Sequence, residues 1–484
     1  MIGPTRSIDG APGDGRAVVV QAGHATGRPP TYADAAGPSA SRAAIDRMPG
    51  PAFGQGATSS LALNNLRGLV IVIVVAFHSV LAYLGSLGAA PFGFDNPPFE
   101  WRAFPIVDTH RWFGFDVFCA WQDVYLMALM FFLSALFTWP SLARKRIGKF
   151  LGERFLRLGV PFVFALIVVM PLALYPVYRV TAVDPSLLAY ARHFAALPFW
   201  PNGPMWFLWQ LLALTIVAAA LRRWAPHWVE WLGARWSAAT SRPSRYFIGL
   251  VAASALAYVP LALVFTPWSW AAHGPFAFQY CRPLLYAVFY FAGLGIGAHG
   301  LERGLLAPHG LLARRWTVWL ACAFAALVLW MGLTALAMRT TPSAPLGLQV
   351  AVNMSFALAC ASGCFCVLAG CLRFGAKRSR ILENLADNAF GIYLFHYLFV
   401  VWLQYALLDA ALFAIAKAMI VFGGALLLAW ATTAAMRFVP FGVQLVGTQR
   451  RVVAHAPSSR GKSALESQYE NDNRTFQLPN IAAR

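Results

Sequence analysis

The chain of 484 residues is 59% hydrophobic and only 12% charged, and it contains 18 Trp and 37 Phe. One soluble core cannot enclose so much apolar surface, so the composition indicates a protein that crosses a membrane several times. A formal charge of +19 can point to nucleic acid, but the cations lie in short clusters between apolar segments, without a nucleic-acid-binding motif. We therefore expect no nucleic-acid partner and interpret the charge as that of a cytoplasmic membrane face.

The two ends of the chain differ from its middle. Residues 1–58 are rich in Gly, Pro, Ala, Ser and Arg, and residues 441–484 are polar and irregular, so both are predicted to be disordered cytoplasmic tails. The first apolar run begins near Leu61 and leads into a full span, which indicates a membrane anchor and not a cleavable leader. We expect the chemistry to reside in the membrane domain, residues 59–440.

Ten apolar segments lie between the tails, each near the length that a bilayer requires. They cover about residues 62–84, 117–139, 156–179, 204–221, 246–266, 281–300, 316–338, 348–371, 388–408 and 411–436. Loops after the even-numbered segments are rich in Lys and Arg, and loops after the odd-numbered segments are not. Because cytoplasmic loops are enriched in cations, we predict an all-α polytopic membrane protein with about ten transmembrane helices and both termini cytoplasmic.

Arg67 and His78 lie eleven residues apart in the first apolar segment. Eleven residues make about three helical turns, so both side chains share one face and are separated by about 16 Å of rise. In the predicted orientation Arg67 lies at the cytoplasmic interface and His78 near or just beyond the midplane. A histidine at that depth is a functional candidate, although a structural hydrogen bond would also account for it. Arg67 can alternatively be an anchor that reaches lipid phosphates.

His396 lies in the ninth segment, eight residues from its predicted cytoplasmic start. It therefore reaches about 12 Å into the bilayer, close to the level of His78, and the two histidines can line one cavity. Tyr393 precedes His396 by three residues and would share its face, where its hydroxyl can hydrogen-bond the ring or a substrate.

Arg154 and Arg157 are spaced i,i+3 at the start of the third segment, within a dense cationic patch. Such a patch can bind a polyanion such as a nucleotide diphosphate, or it can be an ordinary topology signal. Asp123 lies in the second segment near its outer end, where a carboxylate must face protein or water. It can orient a histidine, bind an acceptor hydroxyl or stabilise a helix start at the interface.

The seven cysteines lie within or beside apolar runs, where thiols usually behave as small buried hydrophobes. Cys364 and Cys366 lack the spacing and the histidine partner of a zinc site, and an odd count argues against a disulfide framework. We expect no metal.

Five short motifs follow one another along residues 62–436. They are Leu63-Asn64-Asn65-Leu66-Arg67-Gly68 with His78, Met130-Phe131-Phe132-Leu133-Ser134-Ala135, Arg154-Phe155-Leu156-Arg157-Leu158-Gly159-Val160-Pro161, Gly203-Pro204-Met205-Trp206-Phe207-Leu208 and Phe390-Gly391-Ile392-Tyr393-Leu394-Phe395-His396-Tyr397. Together they resemble the acyltransferase-3 family of integral-membrane acyltransferases, including its pattern of an arginine, ten residues and a histidine. The chain departs from the family at Asn64, where Asp is usual, at Ala135 in place of Gly, and at Leu398 in place of a frequent Pro.

The resemblance implies transfer of an acyl group, most often acetyl, from cytoplasmic acyl-CoA to a hydroxyl of an extracytoplasmic glycan or similar envelope acceptor. It also implies a location in a bacterial inner membrane. Arg67, Arg154 and Arg157 would bind the CoA phosphates. His78 would accept the proton of the acceptor hydroxyl as general base, with a covalent acyl-histidine relay as the less favoured variant.

The remaining candidates are assigned from the same resemblance and, for Asp123, from its position in the second segment. His396 and Tyr393 are assigned to hydrogen bonding of the acceptor or oxyanion, and Asp123, Trp206 and Asn64 to substrate binding. The expected partners are acyl-CoA, a hydroxyl acceptor and membrane lipids.

Two other functions fit parts of the pattern. A proton-coupled transporter or flippase of a glycan or lipid intermediate would also use intramembrane His, Arg and Asp. A structural scaffold would account for the spans but not for the polar residues at depth.

Overall fold

The computed structural model describes residues 55–446, apart from 89, 229–230, 232–241, 268, 301–303, 308 and 341–342. Most of both expected tails, 1–54 and 447–484, therefore lies outside the described residues. The described part is almost entirely helical, which confirms the all-α polytopic class.

Nine helices of the described part are long and apolar enough to cross a membrane, and a shorter apolar helix occupies the sixth predicted position. In chain order they are α1 (Leu61–Tyr83), α2 (Phe113–Arg144), α3 (Ile147–Thr181), α4 (Gly203–Trp224), α5 (Pro243–Phe265), α6 (Pro283–His299), α7 (Trp316–Arg339), α8 (Leu346–Phe374), α9 (Arg380–Ala406) and α10 (Ala414–Met436). All ten predicted segments are thus found, each as a helix.

Several spans are composite, and short elements connect them. The α1 span belongs to a helix Gln55–Val80 that continues as a 3₁₀ turn Leu81–Tyr83, α2 consists of Phe113–Leu136 and Thr138–Arg144, and α4 of a 3₁₀ turn Gly203–Met205 and the helix Trp206–Trp224. The short helices are Glu100–Arg102, Leu187–Ala196, Leu311–Arg314 and Pro440–Leu445. An antiparallel hairpin of β1 (Trp270–His273) and β2 (Phe276–Gln279) lies between α5 and α6, with Trp270 opposite Gln279.

Two π-helical turns interrupt α3. Its parts are Ile147–Arg154, the π turn Phe155–Gly159, Val160–Phe164, the π turn Ala165–Val169 and Met170–Thr181. Each π turn contains the residue four positions before a proline, Arg157 before Pro161 and Ile167 before Pro171. Because proline has no amide hydrogen and its ring crowds that carbonyl, the wider turn accommodates it. The first π turn places Arg157 away from its regular helical direction, as π turns often do at functional sites.

Close helix packing holds α1 against α9. A Cβ atom at Gly68 would lie 2.6 Å from the carbonyl oxygen of Leu382, so the two backbones touch one residue after Arg67. A similar contact joins α2 and α6, where a Cβ atom at Gly297 would lie 2.0 Å from the carbonyl oxygen of Leu136. Glycine is required at both positions because any side chain would separate the helices.

The loop after α1 returns to the end of that helix. Backbone amides of Asp108 and Trp112 each donate to a carbonyl at 2.9 Å, that of Ala82 and that of Tyr83 respectively. The loop therefore covers the predicted extracytoplasmic end of α1, a few residues beyond His78.

Candidate functional site

His78 on α1 and His396 on α9 are in direct contact. The Nδ1 atom of His78 lies 3.3 Å from Nε2 of His396, and the ring centroids are 4.9 Å apart in an edge-to-face arrangement. His396 is fully buried, whereas His78 is partly exposed. The structure thus brings the two predicted histidines to one place, with His78 nearer the accessible space.

Backbone partners determine which nitrogen of each neutral ring carries the hydrogen. The Nδ1 atom of His396 lies 2.7 Å from the carbonyl of Tyr393, and Nδ1 of His78 lies 2.9 Å from that of Val74. Carbonyl oxygens only accept hydrogen bonds, so both Nδ1 atoms are donors and both Nε2 atoms carry lone pairs. The hydrogen on His78 Nδ1 is shared between Val74 and His396. His78 Nε2 is therefore the nitrogen that can accept a proton.

Aromatic rings and the start of α4 enclose the histidines. The ring of Tyr397 lies 5.7 Å from that of His78. The hydroxyl of Tyr393 donates to the carbonyl of Pro204, so Tyr393 is engaged with α4 and not with the His396 ring, 5.9 Å away. Two residues after Pro204, Trp206 stacks on Tyr286 at 5.6 Å. Trp206 is thus linked to Tyr393 indirectly, through a series of ring contacts by way of Tyr286, Phe131 and Phe207.

Three arginines gather at the other end of α1. Arg67 is exposed and lies close enough to Arg157 and Asp387 to interact electrostatically with both, and Arg154 interacts likewise with Arg157. Three like charges near two carboxylates, Asp387 and Glu153, leave an excess of positive charge, which favours a polyanionic ligand. The helix carrying Arg67 also carries His78, which confirms the separation of about 16 Å along one helix.

Of the two asparagines near Arg67, Asn65 makes side-chain hydrogen bonds and Asn64 does not, among the residues that the structure describes. The Nδ2 atom of Asn65 donates to the carbonyls of Gly375 at 2.7 Å and Lys377 at 2.8 Å, so it pins the α8–α9 loop to α1. Asn64 is half-buried and has no hydrogen bond within the part of the chain that the structure describes. It lies three residues before Arg67, at the same end of the helix.

Asp123 pairs with an arginine that the sequence reading missed. Arg282, at the start of α6, donates from Nη2 to Asp123 Oδ2 at 2.7 Å and from Nη1 to the Asp123 carbonyl at 3.3 Å. The Arg282 side chain is 5% exposed, whereas that of Asp123 is 48% exposed. The charge-assisted hydrogen bond to Oδ2 orients the carboxylate, which stays accessible.

Asp123 lies in α2 at membrane depth, about three helical turns from the end of that helix nearest the loop after α1. The amide of Gly85 donates to Asp116 Oδ2 at 2.6 Å, which aligns the outer end of α1 with the first turn of α2. Asp123 is seven residues from Asp116 along α2, a rise of about 10 Å. An exposed carboxylate at membrane depth must face a water-filled space or protein, so Asp123 indicates a polar space in the half of the bundle that is predicted to be extracytoplasmic.

A buried ion pair lies beyond the histidines. Lys417 on α10 donates from Nζ to Asp108 Oδ2 at 2.7 Å and to the carbonyl of Leu408 at 3.1 Å. Neither side chain of the pair has exposed surface. Asp108 also accepts from the amide of His110 at 2.8 Å, so the pair ties the loop after α1 to the outer end of α10.

The comparison with protein families decides the class. The acyltransferase domain model of the acyltransferase-3 family matches residues 60–434. The chain belongs to the acyltransferase-3 family. Neither the comparison with curated proteins nor that with solved structures finds a match. The five sequence motifs had indicated this family, and the match confirms it for an integral, multi-pass membrane acyltransferase.

Three residues that the sequence analysis did not predict, Arg282, Lys417 and Gln404, are nevertheless unusual for their positions in the sequence. Lys417 is a lone lysine within an apolar segment, and Gln404 is a polar residue near the end of α9. Arg282 stands at an end of α6 where the cation pattern predicts few positive charges. The sequence thus shows that each of these residues is unusual, but only the fold shows which residue it contacts.

Proposed function

We propose that this acyltransferase moves an acyl group, expected to be acetyl, from cytoplasmic acyl-CoA to a hydroxyl of an extracytoplasmic glycan or similar envelope acceptor, in a bacterial inner membrane. One observation carries the proposal. The helix α1 carries Arg67, next to the arginines of α3, at its predicted cytoplasmic end, and about 16 Å further along it carries His78, in contact with His396 of α9.

The donor end is proposed to bind the phosphates of CoA. Arg67, Arg154 and Arg157 supply the positive charge, and guanidinium groups match phosphate oxygens in bidentate geometry. Asn64 is assigned to the same donor substrate from its position on α1. The pantetheine arm would follow α1 and bring the thioester to the histidines.

His78 Nε2 is proposed to be the general base. It takes the proton of the acceptor hydroxyl while the hydroxyl oxygen attacks the thioester carbonyl. The carbon–sulfur bond then breaks, and the leaving thiolate takes the proton from the imidazolium, so the products are the ester and the free CoA thiol. His396 Nε2 accepts the shared hydrogen of His78 Nδ1 and stabilises the imidazolium that forms.

The acceptor is proposed to enter from the opposite side. Asp123, oriented by Arg282, can accept hydrogen bonds from hydroxyls, and Trp206 offers an aromatic face for a sugar ring. Tyr393 holds α4 against α9 through Pro204, and we assign it to shaping the wall around the reacting groups.

Two substitutions separate donor binding from chemistry. In purified protein we expect Arg67→Ala to bind a non-hydrolysable acyl-CoA analogue more weakly than the wild type does. We expect His78→Ala to bind the analogue normally but to release no CoA when acyl-CoA and acceptor are supplied. Arg314→Ala, an exposed arginine on the same predicted side, is the matched control and should bind normally. Unchanged analogue affinity in Arg67→Ala would reject the donor site, and substrate movement without CoA release would favour a transporter.

A further inference from the structure

Gln404 on α9 contacts the backbone of the proposed base. Its Nε2 donates to the carbonyl of His78 at 3.0 Å and to that of Ser79 at 3.2 Å. Gln404 is 1% exposed. Among the residues that the structure describes, its Oε1 has no hydrogen-bond partner, so the two carbonyls account for the polar contacts of this side chain.

The position of His78 in its helix explains why these contacts exist. The α-helix ends at Val80 and passes into a 3₁₀ turn, so the carbonyls of its last turn lack α-helical donors. An unpaired buried carbonyl is destabilising because it has lost its hydrogen bond to water. Gln404 donates to two of these carbonyls, and one of them belongs to His78, the proposed general base.

The α9 helix therefore holds His78 at two points. Side chains of an α-helix tilt towards its N-terminus and carbonyls point towards its C-terminus, so the ring and the carbonyl of His78 diverge along α1. The ring meets His396 and the carbonyl meets Gln404, eight residues further along α9. Two contacts from one rigid helix fix both the place of His78 and the direction of its ring.

We propose that Gln404 is a positioning residue for the acyl-transfer reaction, which acts by clamping the end of α1 so that His78 Nε2 faces the acceptor hydroxyl. The inference rests on the proposed function for His78. A displacement of about 1 Å in a reacting group can cost about a hundredfold in rate. Gln404 is thus expected to affect turnover without touching either substrate.

The test uses the full chain in detergent and the variant Gln404→Leu, which keeps the side-chain volume and removes both donors. We expect kcat for acyl transfer to fall by about tenfold to a hundredfold, with KM for acyl-CoA unchanged within about twofold. The matched control is Gln122→Leu, another buried glutamine, which accepts a hydrogen bond from Tyr125 at 2.9 Å; its kcat should stay at the wild-type level.

A second variant reports the hydrogen bond itself. In Gln404→Glu only the protonated carboxyl can donate to a carbonyl, so the ratio of its kcat to that of the wild type should rise as the pH is lowered. A residue with a merely structural role would give a ratio independent of pH. A flat ratio, or a kcat of Gln404→Leu equal to that of the wild type, would overturn the positioning role.

Chemical modification of His78 tests the role of Gln404 independently of whether the protein transfers acyl groups. The rate at which diethyl pyrocarbonate modifies His78, followed by mass spectrometry, depends on the ring nitrogens and not on turnover. We expect it to change by about threefold or more in Gln404→Leu and to stay constant in Gln122→Leu. A wild-type protein without acyl transfer would reject the proposed function, whereas an unchanged modification rate in Gln404→Leu would reject the positioning role alone.

Discussion

The ion pair of Lys417 and Asp108 predicts a large and specific loss of stability. Both side chains are fully buried, and Lys417→Met would leave the carboxylate of Asp108 with the His110 ring nitrogen, 3.4 Å from Oδ1, as its remaining side-chain partner. The carboxylate would keep the hydrogen bond from the His110 amide, and the carbonyl of Leu408 would lose a donor. Breaking a buried pair on one side costs about 3–5 kcal/mol because an uncompensated charge remains.

The assay is thermal unfolding of the purified protein in detergent, compared across a double-mutant cycle. Lys417→Met should have the lowest midpoint, and Lys417→Met with Asp108→Asn should lie between it and the wild type, because the second change removes the stranded charge. Lys145→Met is the control, since Lys145 pairs with Glu153 at a partly exposed position and should cost at most about 1 kcal/mol. A wild-type midpoint for Lys417→Met, or strictly additive effects in the cycle, would refute this reasoning.

Two further substitutions test the geometry at each end of the site. Gly68→Ala places a Cβ atom 2.6 Å from the carbonyl of Leu382, so we expect it to separate α1 from α9. The unfolding midpoint should fall and KM for acyl-CoA should rise. The control is Gly370→Ala, whose Cβ atom would have nothing within 4 Å; its midpoint and KM should equal those of the wild type. Arg282→Met leaves the carboxylate of Asp123 unoriented, and we expect a higher KM for the acceptor with a normal KM for acyl-CoA in steady-state kinetics. Equal effects on both substrates would contradict the assignment of this pair to the acceptor.

Hydropathy located all ten membrane helices because each one must present an apolar surface over the thickness of a bilayer, and that requirement is local in sequence. The largest errors are at the starts of two helices: α3 begins at Ile147 and not near 156, and α9 begins at Arg380 and not near 388. Glu383, Asn384 and Asp387 make the first turns of α9 polar, so hydropathy placed that start too late. The breaks in α3 were likewise invisible to hydropathy, although Pro161 and Pro171 mark their positions.

The candidate site was only partly predictable. Arg67 and His78 stood out because polar groups are costly in an apolar helix, and their shared face follows from helical periodicity. Arg282, Lys417 and Gln404 were missed because each makes contacts with a residue far along the chain, 159, 309 and 326 positions away respectively. Such contacts arise from packing of whole helices, and no local pattern records them.

The most direct test of the central claim is acyl transfer by His78→Ala. The variant and the wild type are reconstituted in vesicles with labelled acyl-CoA on the side of the arginine cluster and acceptor on the other, and ester-linked label and free CoA are measured together. We expect the wild type to form both in equal amounts and His78→Ala to lose about a hundredfold or more of the rate, with acyl-CoA analogue binding retained. Full acylation by a well-folded His78→Ala protein would contradict the account.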